Sequence, residues 1–245
     1  MAGYFLAGKT LRPIENSLEE QKRFVADASH ELRTPLTALR TSMEVSLRDP
    51  RMSLAEAKKL IKSDLEEVEG LQSLSDKLLT LARYQSNGHN LIFKEVDIAK
   101  VIEKVTRKVS PLAKEKGIDL KKEVKSQSLL ANEEGLEEML WIFLDNSVKF
   151  TPRGGKVIIE TESNKKWLVV KVKDTGIGIA KEELPHIFDR FYRADQSRSK
   201  EKVVGFGLGL SLAKKIIEIH KGTVEISSIL GKRTTFTIKL PLKHS

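Results

Sequence analysis

The sequence predicts an α+β protein, in which a helical hairpin is followed by a two-layer α/β sandwich. Leu and Val recur every seven residues near the N-terminus, which indicates a long amphipathic helix. A second apolar stripe follows a short break, and beyond residue 91 Val- and Ile-rich runs alternate with helical patterns. These observations divide the 245 residues into an all-helical part and an α/β part of about 155 residues.

The helical hairpin is read from two stripes and the break between them. The first helix covers about 14–47, and its stripe is Leu11, Leu18, Val25, Leu32 and Leu39. Asp49-Pro50 ends it, because proline cannot donate the helical hydrogen bond. Ser53 and Glu56 have capping-box spacing and begin the second helix. The second stripe is Leu54, Ile61, Val68, Leu71, Ser75, Leu78 and Ala82.

Two helices alone cannot bury both stripes. A second copy of the chain would complete a four-helix bundle, so the pattern predicts a homodimer. In the α/β part, strands are predicted over 92–96, 118–124, 156–161, 168–174, 222–227 and 234–240. Helices are predicted over 98–117, 132–150 and 208–220.

Composition excludes several function classes. The chain has no Cys, which removes disulfide frameworks, Cys nucleophiles and thiolate metal sites. A net charge of +9 suits anionic partners, but the basic residues are scattered and aromatics are only 6%, so we expect no nucleic-acid binding. No apolar run reaches the ~20 residues of a membrane span. The apolar stretch 3–8 before a basic step reads either as the cytoplasmic edge of a membrane helix or as an ordinary N-terminus.

His30 lies in the run Ser-His-Glu-Leu-Arg-Thr-Pro at 29–35. It is turned roughly 160° from Leu32 around the helix, so it faces solvent. Flanked by Glu31 and with Thr34 one turn on, it is a candidate nucleophile. By itself the pattern also fits a solvated surface histidine.

Two downstream clusters have the chemistry of a nucleotide site. Asn146, at the end of a helix, offers an oxygen to Mg²⁺, and Lys149 one turn later can meet a phosphate. Helix capping is the other interpretation of this cluster. Asp174 follows an apolar strand and can accept from the exocyclic amine of adenine, while Gly176 and Gly178 let backbone approach the ring. The alternative there is a β-turn.

The third cluster, Gly205, Gly207 and Gly209, runs into a helix whose first amides can bind phosphate. Between the second and third clusters, 187–195 and 196–202 read as a hinged lid or as a surface loop. Other motifs fail: Leu210 breaks a Rossmann fingerprint, and Phe150 and Val157 break a Walker A loop.

These five motifs, in this order, resemble the H, N, G1, F and G2 boxes of the sensor histidine kinases of two-component systems. The resemblance covers residues 14–243. It implies a linker remnant over 1–16, a HisKA-type dimerisation and phosphotransfer domain over 17–87, and a GHKL (Bergerat-type) ATP-binding domain over 88–245. It also implies the cytoplasmic part of an inner- or plasma-membrane protein, without membrane contact of its own.

The resemblance implies a role for each matching residue. His30 would accept the γ-phosphoryl group of ATP, Glu31 would orient its ring, and Thr34 would place water for dephosphorylation of a partner. The partner would be the receiver domain of a response regulator. Asn146 would bind Mg²⁺, and Asp174 would read adenine. The remaining nucleotide contacts would be Lys149, Phe150, Gly176, Gly178, Ile179, Arg193, Gly205, Gly207, Leu208, Gly209, Leu210 and Thr235.

Ile142 departs from the family pattern, which has a second Asn at this position. An apolar side chain cannot contact Mg²⁺ or its waters, so metal binding and rate come into question. A stand-alone ATPase of the fold shared with gyrase and mismatch-repair enzymes would need a carboxylate there. A scaffold that binds nucleotide without transferring phosphate is the other alternative.

Overall fold

The computed structural model describes residues 2–85, 91–193 and 205–243, with the side chains of 2–17, 20, 21 and 85 left aside. It contains two compact units, Met1–Leu79 and Thr80–Ser245. Among the described residues, no helix combines the length and the apolar character that crossing a bilayer requires. That the chain is the cytoplasmic part of an inner- or plasma-membrane protein stays a prediction.

The helical unit is built from α1 (Ala2–Arg48) and most of α2 (Leu54–Gln85). Helix α1 continues through Pro35 and ends where Asp49-Pro50 predicts. The capping box forms as expected: Glu56 accepts from the backbone of Ser53, and Ser53 Oγ accepts from Glu56 N at 3.3 Å. Both predicted helices and the break between them are therefore confirmed.

The apolar stripes of this unit remain largely open in a single chain. A hydrogen bond from Ser42 Oγ to Asp64 Oδ1 at 3.1 Å joins the two helices. The exposed large apolar side chains are Leu18, Val25, Leu36, Met43, Val45, Leu47, Leu54, Ile61, Leu65, Val68 and Leu79. So much exposed apolar surface on two amphipathic helices is typical of an interface awaiting a partner.

The second unit is a two-layer α/β sandwich. Its main sheet has the order β2-β4-β5-β7-β6, with β2 parallel to β4 and the other pairs antiparallel. A small antiparallel sheet pairs β1 with β3. The strands are β1 (Lys94–Asp97), β2 (Asp119–Glu123), β3 (Ser128–Ala131), β4 (Lys156–Ser163), β5 (Trp167–Asp174), β6 (Thr223–Ile229) and β7 (Arg233–Pro241).

Three helices cover the apolar side of the main sheet: α3 (Ile98–Glu115), α4 (Glu133–Phe150) and α5 (Gly209–Ile219). Alternate residues of β4, β5 and β7 are buried, as expected for a sheet with one face packed. Phe143 of α4 meets Phe236 of β7 with ring centroids 4.9 Å apart. The core therefore lies between the helix layer and the sheet.

Each predicted helix and strand of this unit is present, with ends shifted by at most two residues. The prediction missed β3, a four-residue strand with the sequence Ser-Leu-Leu-Ala. It lacks β-branched and aromatic residues, so no strand signal marks it.

Candidate functional site

The C-terminal turn of α4 holds Asn146 and Lys149 in a fixed backbone frame. Each of its last four carbonyls has a partner, which a helix end otherwise lacks. Lys116 Nζ donates to the carbonyls of Val148 and Lys149. The Phe150 carbonyl accepts from Ile177 N at 3.1 Å, and the Ser147 carbonyl accepts from Thr151.

The side chains on and near this turn differ in the contacts that they make. Lys149 Nζ pairs with Asp145 Oδ2 at 2.6 Å. The Asn146 amide makes no hydrogen bond to another described residue and is partly exposed, so its oxygen is available to a ligand. Ile142 is buried against the start of α5, where a Cβ added to Gly209 would lie 3.4 Å from its Cγ2. Position 142 therefore presents hydrocarbon.

Asp174 is the one buried carboxylate among the described residues of this unit, with 6% of its surface exposed. Its Oδ1 accepts from Gly176 N at 2.9 Å, and its Oδ2 lies 3.4 Å from the Ser147 hydroxyl, which donates. The backbone N–H of Thr234 is a third donor. Burial nevertheless raises the pKa of Asp174, against the lowering effect of these hydrogen bonds.

We call residues 175–179, which follow Asp174, the β5 loop. A Cβ on Gly176 would lie 2.6 Å from Asp174 Oδ1 and 2.7 Å from the Phe150 carbonyl oxygen. Gly178 has a φ of +66° and touches the backbone of Ile229, where a Cβ would lie only 2.2 Å from the carbonyl oxygen. Both positions therefore require glycine, and the loop is held against α4 and β6.

Thr235 lies on the opposite face of β7 from the residue that pairs with Asp174. In the β5–β7 register Thr235 pairs with Lys173, whereas Thr234 pairs with Asp174 and is buried. Successive side chains of a strand point to opposite faces, so the pocket-side residue of β7 is Thr234. Sequence reasoning missed it because it placed the site one residue along the strand.

The start of α5 completes the group. Its N-cap residue, Leu208, makes no side-chain capping bond, so the first-turn amides have no cap among the described residues. Gly207 has a φ of +70° and packs on the backbone of Phe191 and Tyr192, while no described residue lies within 4 Å of a Cβ on Gly205. Arg193 is exposed. The central part of the predicted lid, 194–204, lies outside the described residues.

This arrangement suits an adenine nucleotide. A buried acceptor beside glycine backbone matches an amino-purine, and an uncapped helix start matches its phosphates. For Mg²⁺, the fitting group is the unbonded amide oxygen of Asn146, since this ion keeps several waters and takes other ligands from the phosphates. Among the described residues no cluster of three His, Asp or Glu side chains could hold a metal.

His30 is exposed on α1, as its helical phase predicts. The Thr34 hydroxyl lies one turn on and donates to the His30 carbonyl at 3.3 Å. In the part of the chain that the structure describes, the Glu31 carboxylate makes no hydrogen bond or ion pair with the His30 ring. The orienting role expected for Glu31 stays a prediction.

A buried histidine that the sequence did not single out fixes the other end of α4. His220 Nε2 accepts from Asn132 N at 3.0 Å, and its Nδ1 lies 2.8 Å from the Ile216 carbonyl oxygen. Asn132 is the N-cap of α4 and also accepts from the Tyr84 hydroxyl at 3.4 Å. This cluster joins the last turn of α2 to α4 and α5.

Two family descriptions match the chain. "His Kinase A (phospho-acceptor) domain" matches residues 20–87, and "Histidine kinase-, DNA gyrase B-, and HSP90-like ATPase" matches residues 131–244. The first range contains His30, and the second contains Asn146, Asp174 and the glycine clusters.

Known proteins resemble the chain over most of its length. The sensor protein CiaH of Streptococcus pneumoniae is 35% identical over 99% of this chain and 54% of its own. The structure of the Acinetobacter baumannii histidine kinase AdeS covers 87% of this chain and 98% of its own, with a TM-score of 0.70 and 28% identity. The histidine kinase ThkA, solved with the response regulator protein TrrA, shares the fold over 98% of this chain and 66% of its own, with a TM-score of 0.71 and 21% identity. The chain spans about half the length of the curated relatives it matches.

Proposed function

This chain belongs to the sensor histidine kinases of two-component systems, and we propose that it transfers the γ-phosphoryl group of ATP to His30. The observation that carries the proposal is the arrangement of polar groups around Asp174. A buried carboxylate with three donors, glycine backbone beside it and an uncapped helix start form a nucleotide site in the same unit.

In this reaction the ring nitrogen of His30 that carries no proton attacks the γ-phosphorus, the bond to the β–γ bridging oxygen breaks with release of ADP, and Glu31 would take the proton from the other ring nitrogen. Asp174 accepts from the adenine amine, while the first amides of α5, Lys149 and Arg193 bind the phosphates. Asn146 would hold Mg²⁺, and the ion would supply positive charge that neutralises the phosphates. Binding of phosphate would draw Lys149 from Asp145, its present partner.

Ile142 favours phosphoryl transfer over hydrolysis. An ATPase of this fold would need a water-activating carboxylate there, and a buried isoleucine has none. Transfer to His30 needs no such base, because imidazole is itself the nucleophile. With hydrocarbon at this position, Asn146 is the one α4 ligand that we assign to the metal.

The test is incubation with Mg²⁺ and ATP radiolabelled on its γ-phosphate. We expect protein-bound label that is labile to acid, stable to base and lost in His30→Gln, while His186→Gln, which changes another exposed histidine, keeps it. Label persisting in His30→Gln would contradict the assignment. Free phosphate unaffected by His30→Gln would indicate an ATPase, and neither product would indicate a scaffold.

We also propose a homodimer that passes the phosphoryl group to an aspartate of a response regulator receiver domain, with phosphatase activity that uses Thr34. The exposed stripes of α1 and α2 support the dimer, and the solved complex of ThkA with TrrA supports the partner class. Ile61→Glu should shift the sedimenting species from dimer to monomer, whereas Lys62→Glu should leave it a dimer. An unchanged Ile61→Glu dimer would contradict the assigned interface.

A further inference from the structure

Two hydrogen bonds join the β5 loop to the end of β6 and to the turn that follows it. Ile179 N donates to Ser228 Oγ at 2.8 Å, and Gly231 N donates to the Ile177 carbonyl at 2.6 Å. Between them, the backbone of Gly178 lies against Ile229 so closely that no side chain fits. The loop therefore takes its position from the β6–β7 turn as well as from β5.

The Ser228 hydroxyl uses every hydrogen bond it can make. It accepts from Ile179 N and donates to the Arg233 carbonyl at 3.0 Å. Thr234 Oγ1 lies 2.9 Å away, and since Ser228 has a single proton to donate, Thr234 is the donor in that pair. A hydroxyl with three partners of fixed direction holds the groups around it in one arrangement.

One of those partners also holds Asp174. The Thr234 backbone N–H donates to the Asp174 carboxylate, while the Thr234 hydroxyl donates to Ser228. Ser228 therefore touches the β5 loop on one side and the strand residue that orients Asp174 on the other. Its oxygen therefore lies between the β5 loop and the residue whose backbone contacts Asp174.

We propose that Ser228 is a positioning residue of the nucleotide site, which sets the distance between the Asp174 carboxylate and the β5 loop without touching the nucleotide. The proposal rests on the proposed function, because it assigns the adenine end of ATP to this pocket. It predicts that loss of the hydroxyl weakens nucleotide binding and leaves the transfer step unchanged once the site is saturated.

The experiment compares wild type with Ser228→Ala, Ser228→Thr and Ser227→Ala. Ser227 is the matched control, because it is the neighbouring serine on β6 and is exposed on the other face. Binding of ADP with Mg²⁺ is measured by calorimetry, and the initial autophosphorylation rate is measured across a range of ATP concentrations. Thermal midpoints without nucleotide show whether each variant is folded.

We expect Ser228→Ala to raise the Kd for ADP and the KM for ATP roughly tenfold, the size of one lost hydrogen bond. The kcat should stay within about twofold, since the groups that act on the γ-phosphate are unchanged. Ser228→Thr keeps the oxygen and suits a strand, so it should restore binding. Ser227→Ala should behave as wild type.

Wild-type affinity in Ser228→Ala would overturn the proposal, as would an equal loss in Ser227→Ala or a fall in kcat at unchanged KM. Ser228→Ala could also lower the thermal midpoint. If Ser228→Thr then restores neither the midpoint nor the ADP affinity, the role of Ser228 is purely structural, and the proposal is likewise overturned. If wild type itself binds no ADP, the proposed function fails instead, so the two failures are distinguishable.

Discussion

Helices α1 and α4 each carry candidate functional residues, in opposite surroundings. His30 lies on an exposed face of α1, and its backbone carbonyl accepts a hydrogen bond from Thr34 of the same helix. Asn146 lies on α4, which is capped by Asn132 and His220 at one end and by Lys116 at the other. A group that must reach another molecule needs access, whereas a group that binds a small ligand needs a fixed position.

The energetics of the two helices differ in the same way. Ion pairs along α1, such as Arg23 with Glu19 at 3.8 Å and Arg40 with Glu44 at 3.6 Å, are local and exposed. Such pairs contribute about 0.3–0.5 kcal/mol each. Helix α4 instead buries Phe143 completely against Phe236. Substitutions of buried α4 residues should therefore lower the free energy of unfolding, whereas substitutions of His30 should lower only the phosphoryl-transfer activity.

The largest expected effect on stability is at Phe143. Phe143→Ala leaves a cavity between α4 and the sheet, so it should lower the free energy of unfolding of this unit by about 3–5 kcal/mol. His30→Ala should change the free energy of unfolding by less than about 0.5 kcal/mol, as expected for an exposed residue. Urea denaturation checks both, and equal losses would remove the contrast between the helices.

Asp174→Asn should separate binding from stability. The amide supplies one acceptor where the carboxylate supplies two charged oxygens, so ATP affinity should fall roughly 10–100-fold. Because burial raises the pKa of Asp174, its charge is unfavourable in the fold, and the variant should melt no lower than wild type. Calorimetry and thermal melting measure the two quantities, and a lower melting temperature would contradict this account.

The raised pKa of Asp174 also predicts a pH dependence. As pH falls through it, the carboxyl takes up a proton, which stabilises the fold but removes the ionised acceptor for the adenine amine. The ratio of the ATP affinity of wild type to that of Asp174→Asn should therefore fall toward one on acidification. The fall should begin at a pH above the ordinary pKa range of aspartate. The ratio cancels titration of the phosphates. A ratio independent of pH would show that Asp174 does not read the base as an anion.

A loss of stability smaller than that at Phe143 is expected at the start of α2. Ser53→Ala removes the hydroxyl that caps this helix, and loss of an N-cap costs about 1 kcal/mol. Ser53→Asp keeps a capping oxygen and serves as the control. The helical signal on urea titration checks the prediction, and ATP affinity should be the same in both variants.

Much of the fold could be predicted because the spacing of apolar residues and the residues that end or cap helices agree with the structure. Seven-residue stripes, Asp49-Pro50 and the Ser53 capping box give the hairpin, and the Val- and Ile-rich runs give the main sheet. Short β3 escaped because its pairing with β1 is a tertiary contact without a local signal.

The site could be predicted where backbone chemistry restricts residue type. Gly176, Gly178 and Gly207 meet backbone too closely for any side chain, so they stand out in the sequence. Thr234 and Ser228 escaped because the sequence does not show which face of a strand meets the ligand. His220 escaped for a related reason, since its partner Asn132 is 88 residues away along the chain.

The hydrogen bonds that fasten the β5 loop have a consequence for solvent exchange. Ile179 N and Gly231 N both lie in segments joined to each other rather than to water. Their deuterium uptake must therefore await separation of the loop from β6 and the turn that follows it, whereas the first amides of α5, which have no cap among the described residues, should exchange until phosphate covers them. We therefore expect nucleotide to slow exchange mainly at the first amides of α5 and only slightly in the β5 loop.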